Sequence, residues 1–131
     1  MGAPAADPVG VLAVDDQSIF LDVARDVVVA TQGFCWLGGA KSGEDALEAV
    51  ARFEPDLVIM DVRMPGMDGI EAAHRICERH ASVVVVLISV EQSPAMTPAI
   101  EASGAATLVR KQEFSPAMLR RLWQAHRKPV G

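Results

Sequence analysis

Five side chains of this sequence could do chemistry together, and each stands where an apolar run stops. Asp15 and Asp16 follow Val11-Leu12-Ala13-Val14, Asp61 follows Leu57-Val58-Ile59-Met60, Ser89 follows Val83 to Ile88, and Lys111 follows Ala105 to Val109. Taken singly, an Asp after a strand is a cap or turn residue and a Lys is a solvated cation. Taken together they put three carboxylates, a hydroxyl and an ammonium at the ends of apolar runs. Clustered carboxylates repel one another, and a cation relieves the repulsion. Hard oxygen ligands select Mg²⁺, or Mn²⁺, over softer metals, and Mg²⁺ keeps several waters, which leaves such a site half open. A half-open site of this kind suits phosphoryl transfer, because the ion neutralises the incoming oxygens and aligns them with an attacking carboxylate. Carboxylates are themselves an established class of covalent acceptor.

The elements that must position these groups alternate along the chain. Val11 to Val14 reads as a strand. Ile19, Val23, Val27 and Ala30 recur at helical spacing between Ser18 and Thr31, and Gly33 stops that helix. Phe34 to Leu37 reads as a strand broken by Gly38-Gly39. A helix then opens at Ser42, its N-cap, with Ala46, Leu47, Val50 and Phe53 as the apolar stripe. Asp56 to Met60 is the third strand, followed by the turn Met64-Pro65-Gly66-Met67-Asp68-Gly69 and a helix through Ile70, Ala73, Ile76 and Cys77. Val83 to Ile88 is unbroken and β-branched, the pattern of a strand covered on both faces. The segment from Pro94 to Ser103 carries two prolines. Pro98 fits a helix only near its start, with Thr97 as cap, so this fourth helix is expected to be short or displaced. Ala105 to Val109 is the fifth strand. Pro116 to His126 is the last helix, with Ser115 as cap.

Strands alternating with helices imply parallel βαβ units, hence a one-domain α/β fold with an open, doubly wound sheet. In such sheets ligands bind beyond the carboxyl ends of the strands, where strand order reverses. That is where Asp15, Asp16, Asp61, Ser89 and Lys111 fall. The boundaries expected are a loose N-terminal tail over residues 1–8, the folded domain over 9–127, and a C-terminal tail over 128–131.

Bulk properties narrow the partners. Half of the 131 residues are hydrophobic, 22% are charged, and the formal net charge is −5. This is globular composition, large enough for a core without disulfides, and its charge argues against direct nucleic-acid binding. Cys35 and Cys77 have no pairing or metal-ligand spacing and read as reduced thiols. No secretory signal is visible and no apolar run is long enough to span a bilayer, so a cytoplasmic protein is expected. His74, His80 and His126 lack metal-ligand spacing. Arg110, Lys111, Arg120, Arg121, Arg127 and Lys128 are six of the twelve basic residues and gather near the C-terminus, which reads as a solvated helix face or as the approach to a further domain.

Ala13-Val14-Asp15-Asp16, the run Val58-Ile59-Met60-Asp61-Val62-Arg63-Met64-Pro65-Gly66-Met67-Asp68-Gly69, Ile88-Ser89, and Gly104 through Lys111 resemble the receiver domains of two-component response regulators. The resemblance extends from about Val11 to His126, and its most specific part is the segment from Met60 to Gly69. It implies a flavodoxin-like sheet of order 2-1-3-4-5. It further implies that Asp61 accepts a phosphoryl group from a sensor histidine kinase or a phosphotransfer protein. Asp16, Asp61 and the backbone carbonyl of Arg63 would bind Mg²⁺, and Asp15 would act through water. Ser89 and Lys111 would contact phosphoryl oxygens, and the face formed by the fourth helix, fifth strand and fifth helix would switch. Such a chain is not an enzyme beyond its own phosphorylation and autodephosphorylation. A helix-turn-helix output domain or a homodimer would be the downstream partner, with no membrane involved.

The sequence departs from that family pattern in places. Leu108 stands where an aromatic residue is usual, and a leucine has no polar tip to move between solvent and core. Val90 stands where a small residue is usual, and could crowd the phosphoryl site and slow autodephosphorylation. Gln112 replaces a proline. These departures favour a rival reading, a degenerate receiver acting as a phosphorylation-independent interaction or dimerisation module; the intact acidic, hydroxyl and ammonium set opposes it. An aspartate-nucleophile hydrolase would need a second acid two residues after Asp61, where Arg63 stands. A dinucleotide-binding protein would need a Gly-rich loop where Asp15-Asp16 stands.

Overall fold

The computed structural model describes residues 7–129. Their elements run β1 (Val9–Val14), α1 (Ser18–Val29), β2 (Phe34–Ala40), α2 (Gly43–Phe53), β3 (Leu57–Asp61), α3 (Gly69–Arg79), β4 (Val84–Ser89), α4 (Thr97–Ser103), β5 (Thr107–Arg110) and α5 (Pro116–His126). All strand pairs are parallel and the sheet order is β2-β1-β3-β4-β5, as the family resemblance implies. The order reverses between β1 and β3, so their carboxyl ends flank a crevice that no crossover covers.

The two-residue period of the strands sorts side chains onto two cores. Leu12, Val14, Val58, Met60, Val85 and Leu87 pack with Ala46 and Val50 of α2, Ala72, Ala73 and Ile76 of α3 and Ile100 of α4. Val11, Ala13, Leu57, Ile59, Val84, Val86 and Ile88 pack on the other face with Phe20, Ala24 and Val28 of α1 and Leu119 and Leu122 of α5. β3 and β4 are buried along their whole length, which explains their unbroken apolar composition.

Helix caps follow the expected chemistry. The Ser42 hydroxyl accepts from Asp45 N–H at 3.0 Å, the Asp68 carboxylate from Glu71 N–H at 2.9 Å, and the Ser115 hydroxyl from Met118 N–H at 3.2 Å. Pro94–Met96 form a 3-10 turn before the seven-residue α4, so the fourth helix is short, as its prolines require. Thr97 does not cap it. Ser93 caps the 3-10 turn, accepting from Ala95 N–H at 3.3 Å, and Thr97 is already helical.

Two expectations are corrected. The face of α1 turned to the core carries Phe20, Ala24 and Val28, whereas Ile19 is 79% and Val23 44% exposed. Nor does Gly38-Gly39 end β2: the strand continues to Ala40, absorbing Leu37 as an irregularity opposite Val11 and Leu12. Such a bulge shifts the register by one residue and interrupts the ladder only locally, so pairing resumes from Gly38 to Ala40. Beyond α5, the Lys128 ammonium donates to the carbonyls of Ala81 at 2.6 Å and Val83 at 2.9 Å, tying the chain to the start of β4. Residues 1–6 of the expected N-terminal tail and 130–131 of the C-terminal one lie outside the described residues. Among the described residues no helix is long and apolar enough to cross a membrane.

Candidate functional site

Each strand end delivers its group to the same rim. The first strand hands the chain to Asp15, wholly buried, whose backbone N–H still bonds to Ala40 of β2 at 3.0 Å. Its Oδ1 accepts from Gln17 N–H at 2.8 Å, a turn that leaves the next residue, Asp16, exposed at the surface. Asp61 closes β3, with Oδ1 accepting from Arg63 N–H at 3.1 Å. The loop after it is held by Val62 N–H on Ile88 at 2.9 Å and Gly69 N–H on Val62 at 2.8 Å. Ser89 closes β4, is 2% exposed, and donates its hydroxyl hydrogen to the carbonyl of Glu91. Lys111 directly follows β5 and points back across the rim.

The Lys111 ammonium lies 2.5 Å from Asp15 Oδ2 and 3.4 Å from Asp61 Oδ2. One oxygen from each of Asp15, Asp16 and Asp61 lies within 4.8 Å of the others. These groups border a cleft of about 350 Å³ lined by Asp16, Asp61, Ser89 and Lys111. Gln17, Arg63, Val90 and Glu91 complete the lining. Asp15 sits beneath it. Of these residues Gln17 and Glu91 were not singled out from the sequence, although each neighbours a residue that was.

Burial raises the Asp61 carboxyl above its ordinary value of 3.8, and the charge of Asp15 adds to the rise; Arg63 N–H and Lys111 oppose it. For Lys111 burial acts downward, but its close pairing with Asp15 and the charges of Asp61 and Asp15 outweigh it, so the ammonium is held above its ordinary value of 10.5. The asymmetry has a simple origin. One ammonium answers two buried carboxylates, so the cation is well compensated and each anion only partly.

That imbalance sets what the cleft can hold. Asp15 Oδ2 is fully buried and receives no hydrogen bond of good geometry, facing only the lysine charge. Three carboxylates against one ammonium leave excess negative charge on oxygen donors alone, a donor set that fits a hard divalent cation such as Mg²⁺. Asp16 and Asp61 present their carboxylates to the open side of the cleft, where such an ion has room for waters.

The atypical positions are also placed. Val90 lines the cleft with its side chain 57% exposed. Leu108 is half-buried and packs against the core shared by α2, α3 and α4. The Gln112 amide donates to the Val90 carbonyl at 3.3 Å, linking the segment after β5 to the loop after β4.

Residues 11–123 match the family model described as the response regulator receiver domain. Among curated proteins, the transcriptional regulatory protein PdtaR of Mycobacterium tuberculosis is 37% identical over 114 residues, covering 86% of this chain and 55% of its own length. Protein-glutamate methylesterase/protein-glutamine glutaminase 4 of Geobacter metallireducens is 38% identical over 107 residues, 79% of this chain and 31% of its own. The chain thus spans between about a third and about a half of these relatives. Among solved structures, a chain of the CheX-CheY-BeF3-Mg²⁺ complex from Borrelia burgdorferi superposes with a TM-score of 0.81 at 27% identity, over 93% of this chain and 92% of that one. With its parallel sheet in the order β2-β1-β3-β4-β5 and its acidic cleft at the strand ends, this chain belongs to the family of response regulator receiver domains.

Proposed function

We propose that this chain is a phosphoacceptor, taking a phosphoryl group onto Asp61 from a sensor histidine kinase or a phosphotransfer protein, in the cytoplasm and in the presence of Mg²⁺. The observation that carries the reading is the convergence of Asp61 with Asp15, Asp16, Ser89 and Lys111 on one cleft at the carboxyl edge of the sheet.

In this reading an Asp61 carboxylate oxygen forms the new bond to phosphorus as the bond from phosphorus to the donor's imidazole nitrogen breaks. Lys111, already 3.4 Å from Asp61 Oδ2, meets the negative charge of the arriving oxygens. The Ser89 hydroxyl, bonded to the Glu91 carbonyl at rest, turns to donate to a phosphoryl oxygen, and the loop carrying Val90 moves with it. A hydrogen bond to a charged group contributes about 1.5–3 kcal/mol, enough to redistribute a surface loop. Asp16, Asp61 and the Arg63 carbonyl would hold the cation, with Asp15 supporting it through water. When bound, the ion supplies positive charge against the phosphoryl oxygens and fixes their orientation. The Borrelia complex, which contains BeF3 and Mg²⁺, supports this chemistry for a chain of the same shape.

The signal would leave through the face of α4, β5 and α5, toward an output domain of helix-turn-helix type or a second copy of the chain. Leu108, half-buried against the core where an aromatic residue is usual, favours a second reading, a module that signals by contact without phosphate. Intact mass after incubation with Mg²⁺ and acetyl phosphate separates the two. One added phosphoryl group, absent in Asp61→Asn and absent with EDTA, is the expected result. No adduct, here or from phosphorylated histidine kinases, would leave the contact module standing.

A further inference from the structure

We propose that Phe20 is a positioning residue for Lys111, its ring face holding the ammonium over the cleft while the lysine exchanges carboxylate partners for phosphoryl oxygens. The inference rests on the phosphoacceptor reading above and extends it to a side chain outside the cleft lining.

The Lys111 nitrogen stands 4.8 Å from the centroid of the Phe20 ring, within the range over which an ammonium is attracted to an aromatic face. Phe20 is 8% exposed and sits one helical turn into α1, on the face turned to the core. Its ring packs on Phe114, centroid to centroid 6.0 Å at 46°. Phe114 follows the 3-10 turn Lys111–Glu113, so the segment that carries the lysine also braces the ring beneath it.

The need for such a support follows from the lysine itself. A lysine ammonium is a strongly hydrated point charge on a flexible four-carbon stem. Here its side chain is only 12% exposed, and one of its two anionic partners, Asp61, does not last. Once Asp61 is an acyl phosphate it no longer offers the carboxylate that Lys111 faces at 3.4 Å. Asp15, at 2.5 Å and wholly buried, then competes with the phosphoryl group for the same charge. The ring face, 4.8 Å from the nitrogen, is the partner that is unchanged by transfer and does not, as Asp15 does, compete as an anion with the phosphoryl oxygens for the ammonium. It compensates part of the lost hydration and keeps the nitrogen in the layer between α1 and the end of β5.

Replacing Phe20 with mono-, di- and trifluorinated phenylalanines weakens the face of the ring while nearly preserving its shape. With acetyl phosphate and saturating Mg²⁺, the phosphorylation rate is expected to fall stepwise along that series. Phe20→Leu should lose roughly three- to tenfold, the size of an ordinary cation–aromatic contribution. In the unphosphorylated parent, the ε-methylene protons of Lys111 should show an upfield ring-current shift that Phe20→Leu abolishes. Rates that stay flat across the fluorinated series, in a parent that takes phosphate, would overturn the positioning role and leave the phosphoacceptor reading intact. A parent that takes none would overturn both.

Discussion

At the scale of single residues, the site is a charge balance left incomplete. Asp61 shares a buried corner with Asp15, and its carboxyl is raised chiefly by burial. A raised folded-state value means that the native chain binds this proton more tightly than the unfolded one, so this contribution to stability is present at acid pH and lost as pH rises through the raised value. At neutral pH without metal, Asp61→Asn should therefore be the more stable protein in urea unfolding. The gap should close as pH falls below the ordinary carboxylate range; a parent at least as stable as the variant at pH 7 would contradict it. Val90 makes a second residue-level prediction. It lines the cleft, so if it shields the phosphoryl group, Val90→Ala should lose that group several-fold faster than the parent in a mass-resolved time course. An unchanged half-life would rule out shielding by this residue.

At the scale of elements, the contact between α3 and β3 is the tightest support of the site. A Cβ built on Gly69 would lie 2.0 Å from the Asp61 carbonyl oxygen, so the first turn of α3 presses directly on the strand end that carries Asp61. Gly69→Ala should cost about 3 kcal/mol in denaturant unfolding, and a neutral result would mean that the loop yields freely. The exposed pair Ile19 and Val23, one turn apart on α1 beside the cleft residue Gln17, offers apolar surface to a protein donor. Ile19→Asp with Val23→Asp should slow transfer from a phosphorylated kinase on the order of tenfold. Transfer from acetyl phosphate should be untouched, and equal loss with both donors would contradict a docking role. This helix also marks where sequence reasoning fell short. Ile19, Val23 and Val27 repeat at the same interval as Phe20, Ala24 and Val28, and periodicity alone does not choose between two such tracks. The charges could have chosen: Asp22, Arg25 and Asp26 define a solvent side, and the opposite side holds Phe20, Ala24 and Thr31. β2 failed differently, because two glycines read as a stop although the neighbouring β1 supplied a ladder to carry the strand through them. Caps and strand ends were legible because their chemistry is local. The Phe20 ring under Lys111 was not, since ninety residues of chain separate two groups that only the sheet order brings together.

At the scale of the whole molecule, the sheet sorts two apolar cores to its faces and a cluster of three carboxylates to its carboxyl edge. Those carboxylates repel one another, a divalent cation would offset the repulsion, and its binding should appear as global stability. A hundredfold excess of Mg²⁺ over its dissociation constant should raise unfolding free energy by about 2.7 kcal/mol, and the gain should be lost in Asp16→Asn. An equal gain in that variant would place the ion elsewhere. The proposed chemistry depends on which carboxylate becomes the acyl phosphate. The most direct test is borohydride reduction of the phosphorylated chain, which converts an aspartyl phosphate to homoserine, followed by peptide mass mapping. Homoserine is expected at position 61 alone; homoserine at position 15 or 16, or none in a chain that has gained a phosphoryl group, would contradict phosphorylation of Asp61.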